Sequence, residues 1–346
     1  MTIQTYKLDT GEELTLNTNS LEFQAAENLA RNSLALRRAD EAFFFARNLE
    51  FIRQHVFNPV YAELKLLNGG IIPINTSIPD WADTDTYAVL DAVGEAKVIA
   101  DFADDIPTVE VFGTEYSGKI KSIAEGYLYS VADMRRDNNN MANMGGPVRS
   151  VINSKVIAAR RAIDQKLERM LGFGDATVGI TGLFNNPNVN INVVANSGTG
   201  SSTLWANKTA ALILEDIEKA INDMVDASNG GLEPTHLLTD HKSYSLMRTK
   251  PLDTSNYSGK NILKYVQEDL GLIVVSIQQL KGAFVGGSSG FVLYNQGEEN
   301  AEGVIPMRLM VHPPQKVELS TKTIIEAKCG GTRVFFPKAL SYNYGI

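Results

Sequence analysis

The sequence predicts an α+β fold with one unusually long exposed helix and an extended two-stranded excursion from the body. Three features carry that expectation. Residues 147–171 repeat apolar side chains every three or four positions. Residues 78–116 hold two strand-like stretches among scattered acids. From residue 272 onward the chain reads as a succession of short β segments.

The totals set bounds on this reading. A chain of 346 residues suggests about two domains or one large composite. Hydrophobic residues at 44% and charged residues at 21% are ordinary globular usage, enough for a sizeable core without staples. Cys329 is the single cysteine, so no intrachain disulfide can form, which fits a reducing cytosol. No run reaches the ~18 apolar residues of a membrane helix. Residues 1–8 lack the basic start and apolar run of a secretory signal. A formal net charge of -8 does not suit a sequence-reading nucleic-acid binder, which needs a basic patch. It remains compatible with a container whose contents are neutralised by counterions.

The elements follow in order. Residues 1–33 are polar and mixed and read as an extended arm. Residues 34–57 are expected to be helical, with Leu36, Phe43, Phe44, Arg47, Phe51 and Ile52 at helical spacing, and Asn58-Pro59 stops them. Gly69-Gly70 forms a joint before the short apolar run 71–74. The excursion carries Asp80, Asp83, Asp85, Asp91, Glu95, Asp101, Asp104 and Asp105, with strands expected over 86–93 and 109–112. So long an irregular stretch is uncommon in a compact domain unless it has a task. A further strand is expected over 118–131.

In the long helix, Pro147 suits the first position, and Ile152, Val156, Ala159, Ile163, Leu167, Met170 and Leu171 make the buried stripe. Gly172 and Gly174 end it, and the rod is roughly 38 Å long at 1.5 Å per residue. A second amphipathic helix is expected over 209–227. A strand follows at 236–239, with Asp240 as N-cap of a short helix through Met247. A helix over 260–270 and strands over 272–276, 291–294, 307–311, 317–319, 323–329 and 332–340 complete the chain.

Candidate chemistry is sparse. Gly286-Gly287-Ser288-Ser289-Gly290 matches G-x-S-x-G, with Glu298 and His312 downstream in hydrolase order. A nucleophile elbow needs a helix after the serine, whereas 291–294 reads as a strand, so a glycine-rich turn is the favoured reading. His55, His236, His241 and His312 are scattered, and His236 and His241 are not spaced for one helix face. Asp80, Asp83 and Asp85 lack the glycine and terminal glutamate of a calcium loop. Cys329 sits in an apolar strand and reads as a packed, inert thiol. No phosphate loop or dinucleotide glycine set is present. No catalytic residue, cofactor or metal is expected, and the chain is read as a non-enzyme.

An arm, an acidic excursion and a long rod suit a protein that works through its contacts. Here a resemblance enters. Phe44-Phe45-Ala46-Arg47-Asn48-Leu49-Glu50, Ile72-Pro73-Ile74-Asn75-Thr76, Gly94-Glu95-Ala96-Lys97-Val98-Ile99, Ala103-Asp104-Asp105-Ile106-Pro107 and Ser122-Ile123-Ala124-Glu125-Gly126-Tyr127-Leu128-Tyr129 follow one another in the order seen in a branch of phage major capsid proteins. Residues 158–174 followed by 179–185 resemble the spine helix and the turn after it in the Hong Kong-97 type capsid fold of tailed phages. The likeness runs from about residue 40 to 346.

The resemblance implies a structural major capsid protein that assembles into pentamers and hexamers of an icosahedral head around double-stranded DNA, without sequence-specific contacts and without a membrane. It implies an N-terminal arm over 1–50 and a peripheral domain over 51–79 and 118–189 that contains the spine helix. It further implies an extended loop over 80–117, an axial domain over 190–316, and C-terminal strands of the peripheral domain over 317–346. Partners would be further copies, a portal protein, and scaffold or cement proteins; assembly would take place in the host cytoplasm and the product would be the virion. Tyr87, Val89, Leu90, Val98 and Ile99 would meet a neighbouring subunit, and Gly69, Gly70, Gly113 and Gly118 would act as hinges. Two departures bear on this. The chain starts too close to the recognisable region to hold a long scaffolding segment, and no lysine, asparagine and glutamate set for covalent cross-links can be placed. The competing readings are an encapsulin-like compartment, a tail or decoration protein, and a hydrolase using Ser288.

Overall fold

Two five-residue strands near the start, β1 (Ile3–Lys7) and β2 (Glu13–Asn17), pair antiparallel, Ile3 opposite Asn17. They belong to a unit separate from the body that holds most of the chain. The computed structural model describes residues 3–7, 13–17, 61–98, 106–143, 150–252 and 259–346. The helix expected over 34–57 lies outside those residues; the long helix does not start at the expected Pro147 but at Val151, where Ser150 takes a non-helical ψ of 129 and its side chain accepts from the Asn153 amide.

The body opens with α1 (Lys65–Asn68) and β3 (Ile74–Asn75), then β4 (Thr84–Val93), β5 (Glu110–Lys119) and β6 (Lys121–Ser130). No element is expected over residues 132–146, yet α2 (Val131–Asn143) occupies most of that stretch. Its start is a reciprocal cap: the Asp133 amide donates to Ser130 Oγ at 3.1 Å and the Ser130 amide donates to Asp133 Oδ2 at 3.2 Å. The long helix is α3 (Val151–Phe173), with Ser150 as N-cap. Its N-terminus is held twice over, because Asp137 of α2 accepts from the Val151 amide at 3.0 Å and from the Ser150 hydroxyl.

The other end of α3 shows why the turn after it has its sequence. Gly174 takes φ 65, and a Cβ there would lie 2.1 Å from the Ile180 carbonyl oxygen, so only glycine fits. Leu183 and Phe184 amides donate to the carbonyls of Leu171 and Gly172 at 2.9 and 2.8 Å. Asn185 Nδ2 donates to the Phe173 carbonyl at 2.5 Å. The orphan carbonyls of the helix end are thereby satisfied from one loop. Gly172 is the penultimate residue of the helix, two before the Gly174 cap, and packs against Gln279.

The chain continues through β7 (Asn190–Val193), α4 (Ala210–Ala227), β8 (His236–Thr239), α5 (His241–Thr249), α6 (Ile262–Glu268), β9 (Ile273–Ser276) and β10 (Gly290–Tyr294). Then come β11 (Ala301–Val304), β12 (Met307–Val311), β13 (Gln315–Val317), β14 (Ser320–Cys329), β15 (Gly331–Val334) and β16 (Leu340–Tyr344). Asp240 caps α5 by accepting from the Ser243 amide, as expected.

One sheet runs β7-β16-β10-β8-β9, and its three central strands, β16, β10 and β8, are buried on both faces. Phe291 and Leu293 of β10 enter one core with Ile213, Ile217 and Trp205, while Val292 and Tyr294 enter the other with α3. Such double burial produces the continuous apolar run of β10 in place of alternation. A second sheet has β14 at its centre, with β6 on one side and β12 and β13 on the other. Its inward face, Thr323, Ile325, Ala327 and Cys329, is buried, and Ile325, Ala327 and Cys329 join the core that α3 enters. A third, small sheet joins β15, β11 and β3.

The pairing cuts across the division expected at 316/317. β12 pairs with β14, and β16 sits between β7 and β10 in the five-stranded sheet. The single strand expected over 332–340 is two strands parted by a 3-10 turn at Pro337–Ala339, because proline has no amide to give to a ladder. The strand expected over 317–319 is the tight turn between β13 and β14.

Candidate assembly surfaces

The excursion is a two-stranded ribbon. β4 and β5 pair antiparallel over ten residues each, Thr84 opposite Lys119 and Val93 opposite Glu110, and neither pairs with another strand among the described residues. At about 3.4 Å per residue it is roughly 34 Å long. The sequence makes it a ribbon because β-branched and aromatic residues alternate with small and acidic ones. Among the described residues no further strand supplies a face to bury them.

Its root is fixed to the body through Arg333 of β15. That side chain is 6% exposed and lies against both strands. Its guanidinium donates to the carbonyls of Gly330 at 2.8 Å and Lys119 at 3.1 Å, and faces the Asp85 carboxylate at 3.8 Å. Burial pulls the guanidinium pKa down, and the carboxylates of Asp85 and Glu302 work against that. Lys328 of β14 reaches Asp83 at 3.5 Å. Tyr87 stacks on Tyr116 at 5.7 Å and meets Phe335 edge-on at 4.7 Å. An open groove of about 870 Å³ runs between this face and the body, lined by Tyr87, Val89, Tyr116, Phe335, Phe336 and Pro337 among others.

Beyond the root the ribbon is bare. Leu90 is 71% exposed, Phe112 56% and Val98 96%, and Val93, Val109 and Val111 are exposed as well. The five expected contact residues therefore divide. Tyr87 is engaged with the subunit's own Phe335 and Val89 is half-buried on the same face. Leu90 is on the opposite face and, like Val98, fully available. Ile99 lies outside the described residues.

The expected hinge glycines also divide. Gly70 takes φ 67 after α1, but Leu66, Leu67, Ile71 and Ile72 on either side are buried, so the joint is pinned at both ends. Gly113 sits inside β5 opposite Leu90. A Cβ at Gly118 would lie 2.0 Å from Arg333 Cζ, so this glycine makes room for the guanidinium and is no joint. Neither Gly113 nor Gly118 brackets the excursion; both are part of its ladder.

The motif around Ser288 runs from a 3-10 turn at Val285–Gly287 into β10, with no helix after the serine. His312 Nε2 lies 2.8 Å from Glu326 Oε2, on strands β12 and β14. Burial pushes the Cys329 thiol up to about 11, consistent with an unreactive packed side chain. Among the described residues no helix is long and apolar enough to cross a membrane.

A long helix backed by a β14-centred sheet, a two-faced mixed sheet and a projecting ribbon define an α+β fold of the Hong Kong-97 type. Solved structures agree. The capsid of Myoviridae phage XM1 superposes with a TM-score of 0.71 at 18% identity, over 87% of this chain and 98% of that one. A chain from Mycobacterium phage Ogopogo gives 0.55 at 12% identity, over 86% and 98%. The SrpI encapsulin from Synechococcus elongatus gives 0.53 at 12%, over 88% and 95%. No curated protein matches the sequence. The family described as "Major capsid protein" matches residues 94–346. The chain belongs to the major capsid protein family, and its role is structural, as a component of a capsid.

Proposed function

We propose that copies of this chain close into rings of five and six and build an icosahedral head around double-stranded DNA, each ribbon lapping onto a neighbouring subunit. One observation carries this reading: a ten-pair ribbon with Leu90, Val93, Val98, Val109, Val111 and Phe112 exposed. An isolated two-stranded ribbon is marginal in water, and a bare apolar one needs a cover. Head-to-tail overlap supplies it, since such contacts close into rings when the rotation permits. Leu90 and Val98 are the contact residues best exposed for the overlap. Residues 1–50 act as an arm, 80–117 as the extended loop, and 190–316 with β16 as the axial part around the ring axes. A portal protein completes the head, scaffold or cement proteins are its further partners, and assembly takes place in the host cytoplasm. The family match favours a phage head over an encapsulin-like compartment, and the strand after Ser288 favours a chain without hydrolase activity.

Deleting residues 82–112 tests the reading. The shortened chain is expected to stay soluble and folded by circular dichroism and to form no shells by negative-stain microscopy. Normal particles from the deletion would overturn the role given to the ribbon.

A further inference from the structure

Helix α1 has no cap of its own. It is four residues long, and Leu64 before it has no side-chain acceptor for its amides. The acceptor comes from α3. The Glu168 carboxylate takes the Leu66 amide at 3.0 Å through Oε1 and the Leu67 amide at 2.8 Å through Oε2. Both oxygens are therefore committed to the start of α1. Glu168 is only 6% exposed. Burial pushes its pKa up, and only the amides of Lys65, Leu66 and Leu67 oppose that.

Beside the carboxyl lies an orphaned acceptor. Gln279, on the 3-10 turn after β9, donates through Nε2 to the Glu168 carbonyl at 3.3 Å. Its Oε1 is buried and has no hydrogen-bond partner among the described residues, which is costly. Glu168 and Gln279 line one open cleft of about 360 Å³ with Glu63, Lys65, Gln165 and His241. A proton can reach the carboxyl through it.

We propose that Glu168 is a proton-operated clasp with two hydrogen-bonded states. Ionised, it holds the Leu66 and Leu67 amides and ties α1 to α3. Protonated, its O–H turns to Gln279 Oε1 and the cap of α1 is withdrawn. The first state leaves the Gln279 oxygen without a donor, and the second leaves an α1 amide without an acceptor. Exchanging one unpaired group for another keeps the two states close in free energy, so a proton decides between them. The titratable groups around the carboxyl are Glu63 and Lys65 at the start of α1, Asp164 one turn back on α3, and His241 on α5. The turn after β9 brings no charge. Lys65 is occupied by the Ser276 carbonyl at 2.8 Å and hydroxyl at 3.2 Å. None of these four groups contributes to the Glu168 shift. Withdrawal matters because α1 leads through Gly69-Gly70 and the buried Ile71 and Ile72 to β3 and then to the ribbon. The clasp is one of the two pins of that joint, firm at neutral pH and loosened in acid. This goes beyond the shell reading and does not depend on how copies meet.

The test is hydrogen exchange of the peptide 64–69 in the full chain at about pH 7.5 and about pH 4.5, each rate divided by its intrinsic rate at that pH. Protection should fall several-fold at the lower pH, while α6 and β10 keep theirs. Glu168→Gln carries the donor permanently and should show low protection at both. Gln279→Met removes the waiting acceptor and should move the midpoint of the response to lower pH. His241→Gln should respond like the parent. Global stability should move the other way. A carboxyl whose pKa is raised by folding favours the folded chain below the ordinary 4.5 and loses that contribution as pH rises through the folded value. The parent should therefore gain stability relative to Glu168→Gln on acidification while α1 alone loosens. The clasp is overturned if the parent protects α1 equally at both pH values, or if the response survives in Glu168→Gln or vanishes in His241→Gln. An unmoved midpoint in Gln279→Met overturns it too. The parent and Gln279→Met carry the test even if Glu168→Gln does not fold.

Discussion

Gly118 and Arg333 are 215 residues apart and make one object. The guanidinium occupies the space that a side chain at 118 would need, 2.0 Å from the position of its Cβ. Gly118→Ala should therefore displace Arg333 from the Lys119 and Gly330 carbonyls and destabilise the body by about 1–3 kcal/mol, seen as a lower denaturant midpoint. An unchanged midpoint would mean that the guanidinium moves aside freely. Asp175 offers a pH test. Hydrogen bonds from Lys166 and Thr177 hold its carboxyl down at about 2, below the ordinary 3.8. A carboxyl that is depressed in the folded chain stabilises it above the unfolded pKa. Its contribution should be complete above pH of about 5 and fade as pH falls from about 4 through about 2. Asp175→Asn should flatten the stability profile in that window, and an identical profile would contradict the assignment.

At the scale of elements, α1 and α3 are joined by a buried carboxylate. Glu168 of α3 accepts from the Leu66 amide at 3.0 Å and the Leu67 amide at 2.8 Å, at the start of a helix only four residues long. Burial nevertheless pushes its pKa up, with those two amides opposing. Glu168→Ala strands both donors and should cost about 2–3 kcal/mol, whereas Glu168→Gln keeps one acceptor and should cost less. Equal losses in a urea titration would argue against the capping role.

The same elements show what could be read in advance. The stripe Ile152 to Leu171 marks α3 through its own period, and Asp240 marks α5 as a local cap. The cap Ser130-Val131-Ala132-Asp133 was equally local and announces α2, but the polar run that follows carries no apolar stripe to back it. Asp137 as the cap of α3 is hidden with it. The ribbon was visible as strands among acids, while its anchor was not, because Arg333 contacts Lys119 across 214 positions and no short-range pattern encodes that. The place of β16 in the five-stranded sheet has the same cause: strand neighbours distant in sequence leave no periodic trace.

At the scale of the whole molecule, the body is doubly cored and the ribbon has no core at all. Amides of β4 and β5 should therefore exchange hydrogen rapidly in the free subunit and slowly in the shell, while β10 and β14 stay protected in both. Hydrogen exchange with mass spectrometry reads this directly. Slow exchange of the ribbon in free subunits would mean that something in the same chain already covers it.

A ribbon with two unpaired margins also sets a clock. Until a neighbour arrives, the outer edges of β4 and β5 beyond the root, which no described strand pairs, present open N–H and C=O groups, the template on which misdirected strands grow. The hazard scales with the time a newly made subunit spends alone and with how many others wait beside it. Variants that merely delay ring closure should therefore appear first as insoluble protein in the expressing cell, before any defect is visible in the particles that do form.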